Sequence, residues 1–171
     1  MSGSPTLTIG ITGHRPNRMF LGAKEIARRL LLVLASIRSG TGGGVRLVAL
    51  SALAEGSDRL FAESALALGY QLEVILPFTS ADYETTFGDT MAIPHFRELL
   101  GRAANVTELS GRLEDRTGAY EAAGQMTVSG SDILVTVWDG QAAAGRGGTP
   151  EIIEHAMKLG KPVVWIHAAH T

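Results

Sequence analysis

The sequence of 171 residues contains no cysteine. This absence excludes a disulfide scaffold, a thiolate zinc or iron–sulfur site and a cysteine nucleophile. It fits a cytoplasmic protein, and we expect that location. Three histidines, His155, His167 and His170, show no metal-ligand spacing. We therefore expect neither a metal ion nor another cofactor.

The chain also lacks a large excess of charge of either sign and any long apolar run. The formal net charge is −2, which gives no overall attraction to nucleic acid or to an anionic membrane. The longest apolar stretches, 30–35 and 133–138, are far too short to span a bilayer. Residues 1–5 are polar and lack a signal-peptide pattern. We therefore expect no membrane partner and no nucleic-acid partner.

Strand and helix patterns alternate along the chain. Short apolar runs without period-two alternation indicate strands buried on both faces; they are 7–12, 45–50, 72–76, 133–138 and 163–166, with a weaker run at 106–109. Helices are expected at 23–38, 58–68, 96–104 and 113–129, and after an N-cap at Thr149. The pattern predicts one α/β domain over residues 1–171, with a doubly wound, mostly parallel, Rossmann-like sheet and helices on both faces.

Glycine is the residue in excess, with 21 in the chain, roughly 12% against a usual 7% or so. In a parallel sheet, right-handed crossovers bring the carboxyl ends of all strands to one edge, where ligands bind near a topological switch point. Several glycine-bearing loops follow strands and fall on this edge. Residues 41–44 join a helix to a strand and fall on the opposite edge, so we assign them no ligand role.

The first loop at the ligand edge follows the strand at 7–12. Gly13 permits a sharp turn and a close approach of the backbone to a ligand. His14 and Arg15 follow at once and are predicted to bind a phosphate, the arginine bidentately. The alternative is an ordinary turn with a solvated arginine. A complete G-x-G-x-x-G is missing, so we do not expect a NAD-type site.

The second loop, 51–59, leads into a helix N-terminus, whose unpaired amides suit an anion. The predicted ligand-binding residues here are Ser51, Gly56, Ser57 and Asp58. Asp58 has two interpretations of equal weight. It either caps the helix and interacts with its dipole, or it binds ribose hydroxyls or orients Arg59.

The third loop follows the strand at 133–138 and is glycine-rich up to the start of the last helix. Unhindered amides and the positive helix end predict phosphate binding, although the lysine of a Walker A loop is missing. Glu151 either accepts hydrogen bonds from a ribose or base, or interacts with the helix dipole. The predicted ligand-binding residues of this loop are Asp139, Gly140, Arg146, Gly147, Gly148, Thr149 and Glu151.

The connection 77–95 is long enough to be a lid over a site. It includes Asp82, Tyr83 and His95, which are candidates for reaching a ligand. The alternative is that these residues serve packing and solvation.

Two of these segments resemble motifs of one superfamily. Residues 51–58, followed by an Ala-rich helix, resemble the Ser-Gly-x-Ala-x-Gly-x-Asp motif of the DNA-processing protein A group. Residues 147–151 resemble the glycine-rich Thr-Glu loop of the Lonely Guy proteins. Over nearly its whole length the chain is thus similar to the SLOG superfamily of Rossmann-like nucleotide-binding domains.

The resemblance implies a nucleotide or nucleotide-derived ligand, a homodimer, and a role as a sensor or effector in bacterial nucleotide signalling. Ile152 stands where Lonely Guy enzymes have a catalytic glutamate, so our leading hypothesis is a nucleotide or phosphoribosyl-ligand binding domain with little or no catalysis. The alternative is a phosphoribohydrolase-like enzyme that cleaves or transfers at the N-glycosidic bond of a nucleoside monophosphate. Its candidate catalytic residues are Glu151 and Glu154.

Overall fold

Within residues 3–143 and 146–169, which the computed structural model describes, six strands pair in one sheet. They are β1 (Thr6–Gly13), β2 (Arg46–Ser51), β3 (Gln71–Leu76), β4 (Asn105–Glu108), β5 (Ile133–Trp138) and β6 (Val163–His167). Their order is β4-β3-β2-β1-β5-β6, with parallel pairing throughout. The sheet confirms the predicted doubly wound, Rossmann-like α/β fold.

Helices cover both faces of this sheet. They are α1 (Ala23–Thr41), α2 (Ser57–Ala67), α3 (Ser80–Glu84), α4 (Ala92–Gly101), α5 (Arg116–Ser129) and α6 (Thr149–Lys158). α1 and α2 pack together on one face with α4 beside α2, and α5 and α6 pack together on the other. In the described part of the chain, no helix is long and apolar enough to cross a membrane.

The main core lies between the sheet and the α1–α2 layer. Ile26 and Leu30 of α1 and Phe61 of α2 are fully buried there. On the other face, Ile152 of α6 joins a smaller cluster with Leu134 of β5. Because each such buried side chain contributes about 1.5–3 kcal/mol, both layers hold the strands firmly and fix where their ends lie.

β1 is the switch point of the sheet. It pairs with β2 on one side and β5 on the other, and Gly10 lies beside Leu50 and Leu134. A Cβ at Gly10 would overlap Ser131 Oγ, so the end of α5 packs directly on β1 only because this residue is glycine. The loops after β1 and β5 leave toward opposite faces, which opens a crevice between them.

Several expected helix boundaries differ from the structure, for example the ends of α1 and α4 and the start of α5, and two differences lie beside the carboxyl edge of the sheet. The prediction that Thr149 is an N-cap is wrong, because α6 begins at Thr149 and the extended Gly148 (φ −80°, ψ 168°) is the N-cap. The Glu151 carboxylate accepts the Gly147 amide and so binds a donor at this helix end in place of a capping hydroxyl. In the 77–95 connection, α3 forms and α4 begins at Ala92 rather than at residue 96.

Candidate functional site

A cavity of about 310 Å³ opens at the carboxyl edge of the sheet, above β1. Its wall comes from the loops after β1 and β2, from α5 and from the start of α6. The first two loops contribute the predicted residues Gly13, His14, Arg15 and Asp58. The third loop contributes Arg146, Gly147, Gly148 and Thr149. Gly145, which belongs to the same predicted loop, lies outside the described residues.

Three other predicted residues do not line the cavity: Ser57 and Gly56 contact the first loop, and Ser51 forms a hydrogen bond within the second. Ser57 Oγ donates a 2.9 Å hydrogen bond to the carbonyl of His14. Gly56 has a φ of +99°, and a Cβ there would lie 2.7 Å from the same carbonyl oxygen. Ser51 Oγ accepts a 3.0 Å hydrogen bond from the Leu53 amide. These contacts fix the positions of His14 and of the start of α2.

Asp139, directly after β5, is buried, and both of its carboxylate oxygens are in hydrogen bonds. Its Oδ1 lies 2.9 Å from His14 Nε2 and accepts a 3.1 Å hydrogen bond from the Gln141 amide. Arg18 donates through Nε at 3.0 Å and Nη2 at 2.7 Å to Oδ2. Burial raises the pKa of Asp139, but hydrogen bonds from His14, the Gln141 amide and Arg18 outweigh it and lower the pKa to about 2. Asp139 therefore joins the loops after β1 and β5 as an ionised carboxylate.

Asp58, in the first turn of α2, is also buried but has weaker partners. Its Oδ2 accepts a long 3.3 Å hydrogen bond from the Ala54 amide. Burial raises the pKa of Asp58 from 3.8 to about 7, and the Ala54 amide and the charges of Arg15 and Arg59 offset this only in part. A carboxyl group in a cavity wall with a pKa near neutrality can accept or donate a hydrogen bond to a ligand.

Arg15 is the predicted cation that lies best for a ligand. Its guanidinium sits 5.5 Å from the ring centroid of Tyr120, a cation–π contact that holds it against the cavity wall. Its ion pair with Glu55 is long, at 3.8 Å, and the arginine side chain is 42% exposed. The guanidinium is therefore positioned but open to an incoming anion.

In the third loop, two glutamate side chains form hydrogen bonds with donor groups of the loop. Glu151 accepts the Gly147 amide, and Arg146 Nη2 donates to Glu121 at 3.0 Å. Gly147 has a φ of +74°, and a Cβ there would lie 3.0 Å from the Thr117 carbonyl oxygen of α5. The glycine therefore allows the loop to lie against α5.

The two carboxylates proposed for catalysis do not line the cavity. Glu151 is bound within its loop, and Glu154 forms an exposed ion pair of 2.8 Å with Lys158. Gly140 also lies outside the wall, beside the Trp165 ring. Among the described residues, no group of three or more histidine, aspartate or glutamate side chains is arranged to hold a metal ion.

Sequence reasoning missed several cavity residues. Arg18 and Tyr120 line the wall, and so do small residues on one face of α5, namely Ala123, Gly124 and Thr127. Their three- and four-residue spacing was a readable signal for a helix face that something approaches closely. Of the lid candidates, Tyr83 lines the cavity and burial raises its pKa, whereas His95 pairs with Glu63 at 2.8 Å on the surface.

Two tryptophans hold the loop that follows β5. Trp138 Nε1 donates to the Gln141 carbonyl at 2.8 Å, and Trp165 Nε1 donates to the Trp138 carbonyl at 2.9 Å. Their ring centroids are 5.2 Å apart. Trp165 is 52% exposed, so the pair forms part of the surface beside the site.

The solved structures that are similar to the chain include the following three. The structural genomics target TM1055 is 15% identical, with a TM-score of 0.58 over 92% of this chain and 72% of that one. DNA processing protein A from Streptococcus pneumoniae is 16% identical, with a TM-score of 0.60 over 94% and 50%. DNA processing protein A from Helicobacter pylori, described for its single-stranded DNA binding mode, is 16% identical, with a TM-score of 0.61 over 93% and 64%. No protein-family model and no curated protein matches the chain.

These similarities show the Rossmann-like α/β fold that the sequence predicts. The chain spans half the length of the Streptococcus protein and 64% of the Helicobacter protein. Identities of 15–16% extend to the fold and not to the ligand.

Proposed function

We propose that the chain binds a nucleotide or a phosphoribosyl compound in the cavity above β1 and acts as a sensor or effector in bacterial nucleotide signalling. One observation carries the proposal: Arg15, the N-terminus of α6 and the buried carboxyl of Asp58 all line the same 310 Å³ cavity. A cavity of this size suits a small molecule. An anion site next to an acceptor for hydroxyl groups matches a phosphorylated sugar.

Within this cavity, the anionic group is assigned to the start of α6 and to Arg15. The amides of the first turn and the helix dipole favour a phosphate there. The Gly147 amide already binds Glu151, so the contacts fall to the amides of Gly148 and Thr149. Arg146 ranks below Arg15 because it is engaged by Glu121 at 3.0 Å. Asp58 is assigned to sugar hydroxyls or to the base.

Calorimetric titration with AMP, cyclic AMP, ADP-ribose and ribose 5-phosphate tests the proposal. Gly148→Val should abolish binding, because Gly148 is the N-cap of α6 and lines the cavity, so that a branched side chain there narrows the space assigned to the anionic group. Gly43→Val is the matched control: Gly43 lies in the loop between α1 and β2, with no atom within 4 Å of an added Cβ. Wild-type protein that binds none of the four compounds at millimolar concentration would refute the proposed function.

The same proposal includes a cytoplasmic homodimer without a nucleic-acid partner. Met157, Leu159 and Trp165 are apolar side chains at least half exposed on or beside α6 and β6, which supports a self-contact on this side. Light scattering should give twice the 18.0 kDa chain mass. Fluorescence anisotropy with a labelled single-stranded oligonucleotide should show no binding at physiological salt. A monomer, or tight oligonucleotide binding, would remove that part of the proposal.

The enzymatic alternative is cleavage at the N-glycosidic bond of a nucleoside monophosphate. For this function Asp58 is a better candidate catalytic residue than Glu151 or Glu154, because its carboxyl lines the cavity and has a pKa of about 7. A group that keeps its proton near neutral pH can protonate a leaving base. Incubation with AMP and assay for free adenine tests this function. Adenine release that Asp58→Asn abolishes supports it, and no release leaves the binding function alone.

A further inference from the structure

The two ring nitrogens of His14 differ in their surroundings: Nε2 contacts a side chain of the protein, whereas Nδ1 faces no hydrogen-bond partner among the described residues. Nε2 lies 2.9 Å from Asp139 Oδ1, and Arg18 binds the same carboxylate. A carboxylate paired with a guanidinium accepts hydrogen bonds and donates none, so Nε2 carries the proton. Nδ1 is therefore the nitrogen with a lone pair when the ring is neutral. No residue in the ranges 3–143 and 146–169 hydrogen bonds to it, and His14 lines the cavity.

The ring is held in place by more than Asp139. The His14 amide donates to the Val137 carbonyl at 3.0 Å, and its own carbonyl accepts from the Ser57 amide at 3.2 Å. His14 is only 6% exposed. Contacts to β5 and α2 thus fix the backbone, and Asp139 fixes the ring. A rigid, oriented imidazole in a cavity wall is an arrangement suited to recognition.

We propose that His14 Nδ1 contacts the anionic group of the ligand and takes up a proton when that ligand binds. The inference rests on the proposed function and adds the way the site recognises charge. A phosphate oxygen and a bare Nδ1 both carry lone pairs, so they repel unless a proton lies between them. With a proton taken from solvent, Nδ1 donates a charge-assisted hydrogen bond to the phosphate, whose negative charge balances the new positive charge.

A proton taken up on ligand binding could also go to another titratable group near His14, so the charged groups around the ring must be considered. Asp139 at the end of β5 and Arg18 form the pair behind the ring. Arg15, Asp58 at the start of α2 and Arg146 before α6 line the same cavity. Asp58 is a competing source of a proton change, because burial raises its pKa to about 7. The experiment must therefore separate His14 from Asp58.

Two substitutions at His14 each keep one of the contacts made by its ring nitrogens and remove the other. His14→Gln places an amide donor near the position of Nε2, so it keeps the bond to Asp139 and loses the group facing the ligand. His14→Asn places a donor near the position of Nδ1 and loses the bond to Asp139. Asp58→Asn removes the competing titratable carboxyl. A purely structural role for His14 predicts that the glutamine variant behaves like wild type in every respect.

AMP is titrated at pH 7.5 in two buffers of different ionisation enthalpy, with adenosine as the phosphate-free control. Wild type and Asp58→Asn should take up protons on binding AMP. His14→Gln should keep the wild-type melting temperature, bind AMP at least tenfold more weakly and take up none; His14→Asn should melt lower and also take up none. Binding of AMP without proton uptake, or wild-type affinity in His14→Gln, overturns this inference and leaves the proposed function intact.

The tautomer is tested without any ligand. A long-range ¹H–¹⁵N spectrum of the unliganded protein should show His14 protonated at Nε2. Protonation at Nδ1 in the neutral ring overturns the inference. If none of the four compounds named under the proposed function binds, both the proposed function and this inference are refuted. Binding of AMP without proton uptake refutes this inference alone.

Discussion

Asp58 and Asp139 are two buried carboxylates at the same edge of the sheet, and their surroundings shift their pKa values in opposite directions. Asp139 is bound by His14, Arg18 and the Gln141 amide, and its pKa falls to about 2. Asp58 has a long hydrogen bond from the Ala54 amide, and its pKa rises to about 7. Burial alone does not identify a functional carboxylate. The protein itself satisfies Asp139, whereas Asp58 retains capacity for a partner from outside.

The largest expected effect is the loss of stability in Asp139→Ala. The substitution leaves Arg18 and His14 without their shared buried anion, and removing one partner of such a group costs about 3 kcal/mol or more. Urea unfolding at pH 7 measures it. Asp58→Asn is the matched control and should not lower stability. Similar losses in the two variants would contradict the distinction between a satisfied and an unsatisfied carboxylate.

The second effect is the pH dependence of stability in Asp58→Asn. The folded-state pKa of Asp58 is raised from 3.8 to about 7, so the folded state binds more protons than the unfolded state across this window. Wild type therefore loses stability from this group as pH rises from 4 to 7. The asparagine variant should equal wild type near pH 4 and exceed it at pH 8 by no more than about 4 kcal/mol, the free energy that the raised pKa represents. Thermal melts in one buffer series give the difference.

Asp139 supplies the opposite control for that pH series. Its pKa is lowered from 3.8 to about 2, so its contribution is present above pH 4 and is lost as pH falls toward 2. The stability difference between wild type and Asp139→Asn should therefore shrink in acid. If the stability of both asparagine variants relative to wild type changes with pH in the same direction, the assignment of the two environments is wrong.

The third effect is on ligand affinity. Asp58→Asn should weaken AMP binding about tenfold, near 1.4 kcal/mol, because an amide cannot fully replace the acceptor for sugar or base. The binding constant from calorimetry measures the effect. Glu63→Gln, in the exposed pair with His95, controls for a lost carboxylate away from the cavity. An unchanged affinity in Asp58→Asn would remove Asp58 from the ligand site.

The smallest effect concerns Arg18→Lys. Arg18 meets Asp139 through Nε and Nη2 at 2.7–3.0 Å, and an ammonium cannot reproduce that fork. We expect a loss of about 1 kcal/mol, measured by urea unfolding. Arg28→Lys is the exposed counterpart, since Arg28 binds Glu25 at 2.8 Å on the surface of α1. Its loss should be clearly smaller, because solvent screens an exposed ion pair, and an equal loss in both variants would show that the buried pair gains nothing from geometry.

Strand positions were predictable because the sheet is buried on both faces, and apolar runs record that burial directly. The ligand edge followed from the parallel crossovers alone. The His14–Asp139 contact was not predictable in this way, because it joins residues 125 positions apart, and local patterns carry no information about such pairs. Likewise, Ser57 and Gly56 were assigned to a ligand, but their nearest neighbour is the His14 carbonyl. Small residues at a close approach look the same in sequence, whether the neighbour is ligand or backbone.

The start of α6 illustrates a local error of a different kind. Thr149 followed by Pro150 is a common beginning for a helix, and the boundary was misplaced by one residue because Gly148 adopts the extended N-cap conformation. The Glu151 carboxylate then binds the Gly147 amide. Which of several nearby acceptors binds a helix-end donor depends on the path of the preceding loop, and propensities do not encode that path.

The tryptophan pair gives the protein a built-in optical probe. Trp138 and Trp165 are the chain's two tryptophans, and their hydrogen bonds link β6 to β5 and to the loop that follows it. Any shift of that loop alters the polarity around the indole rings. The intrinsic emission of the unlabelled chain therefore reports on one loop beside the cavity, and a titration read at a single wavelength can screen many compounds for those that move it.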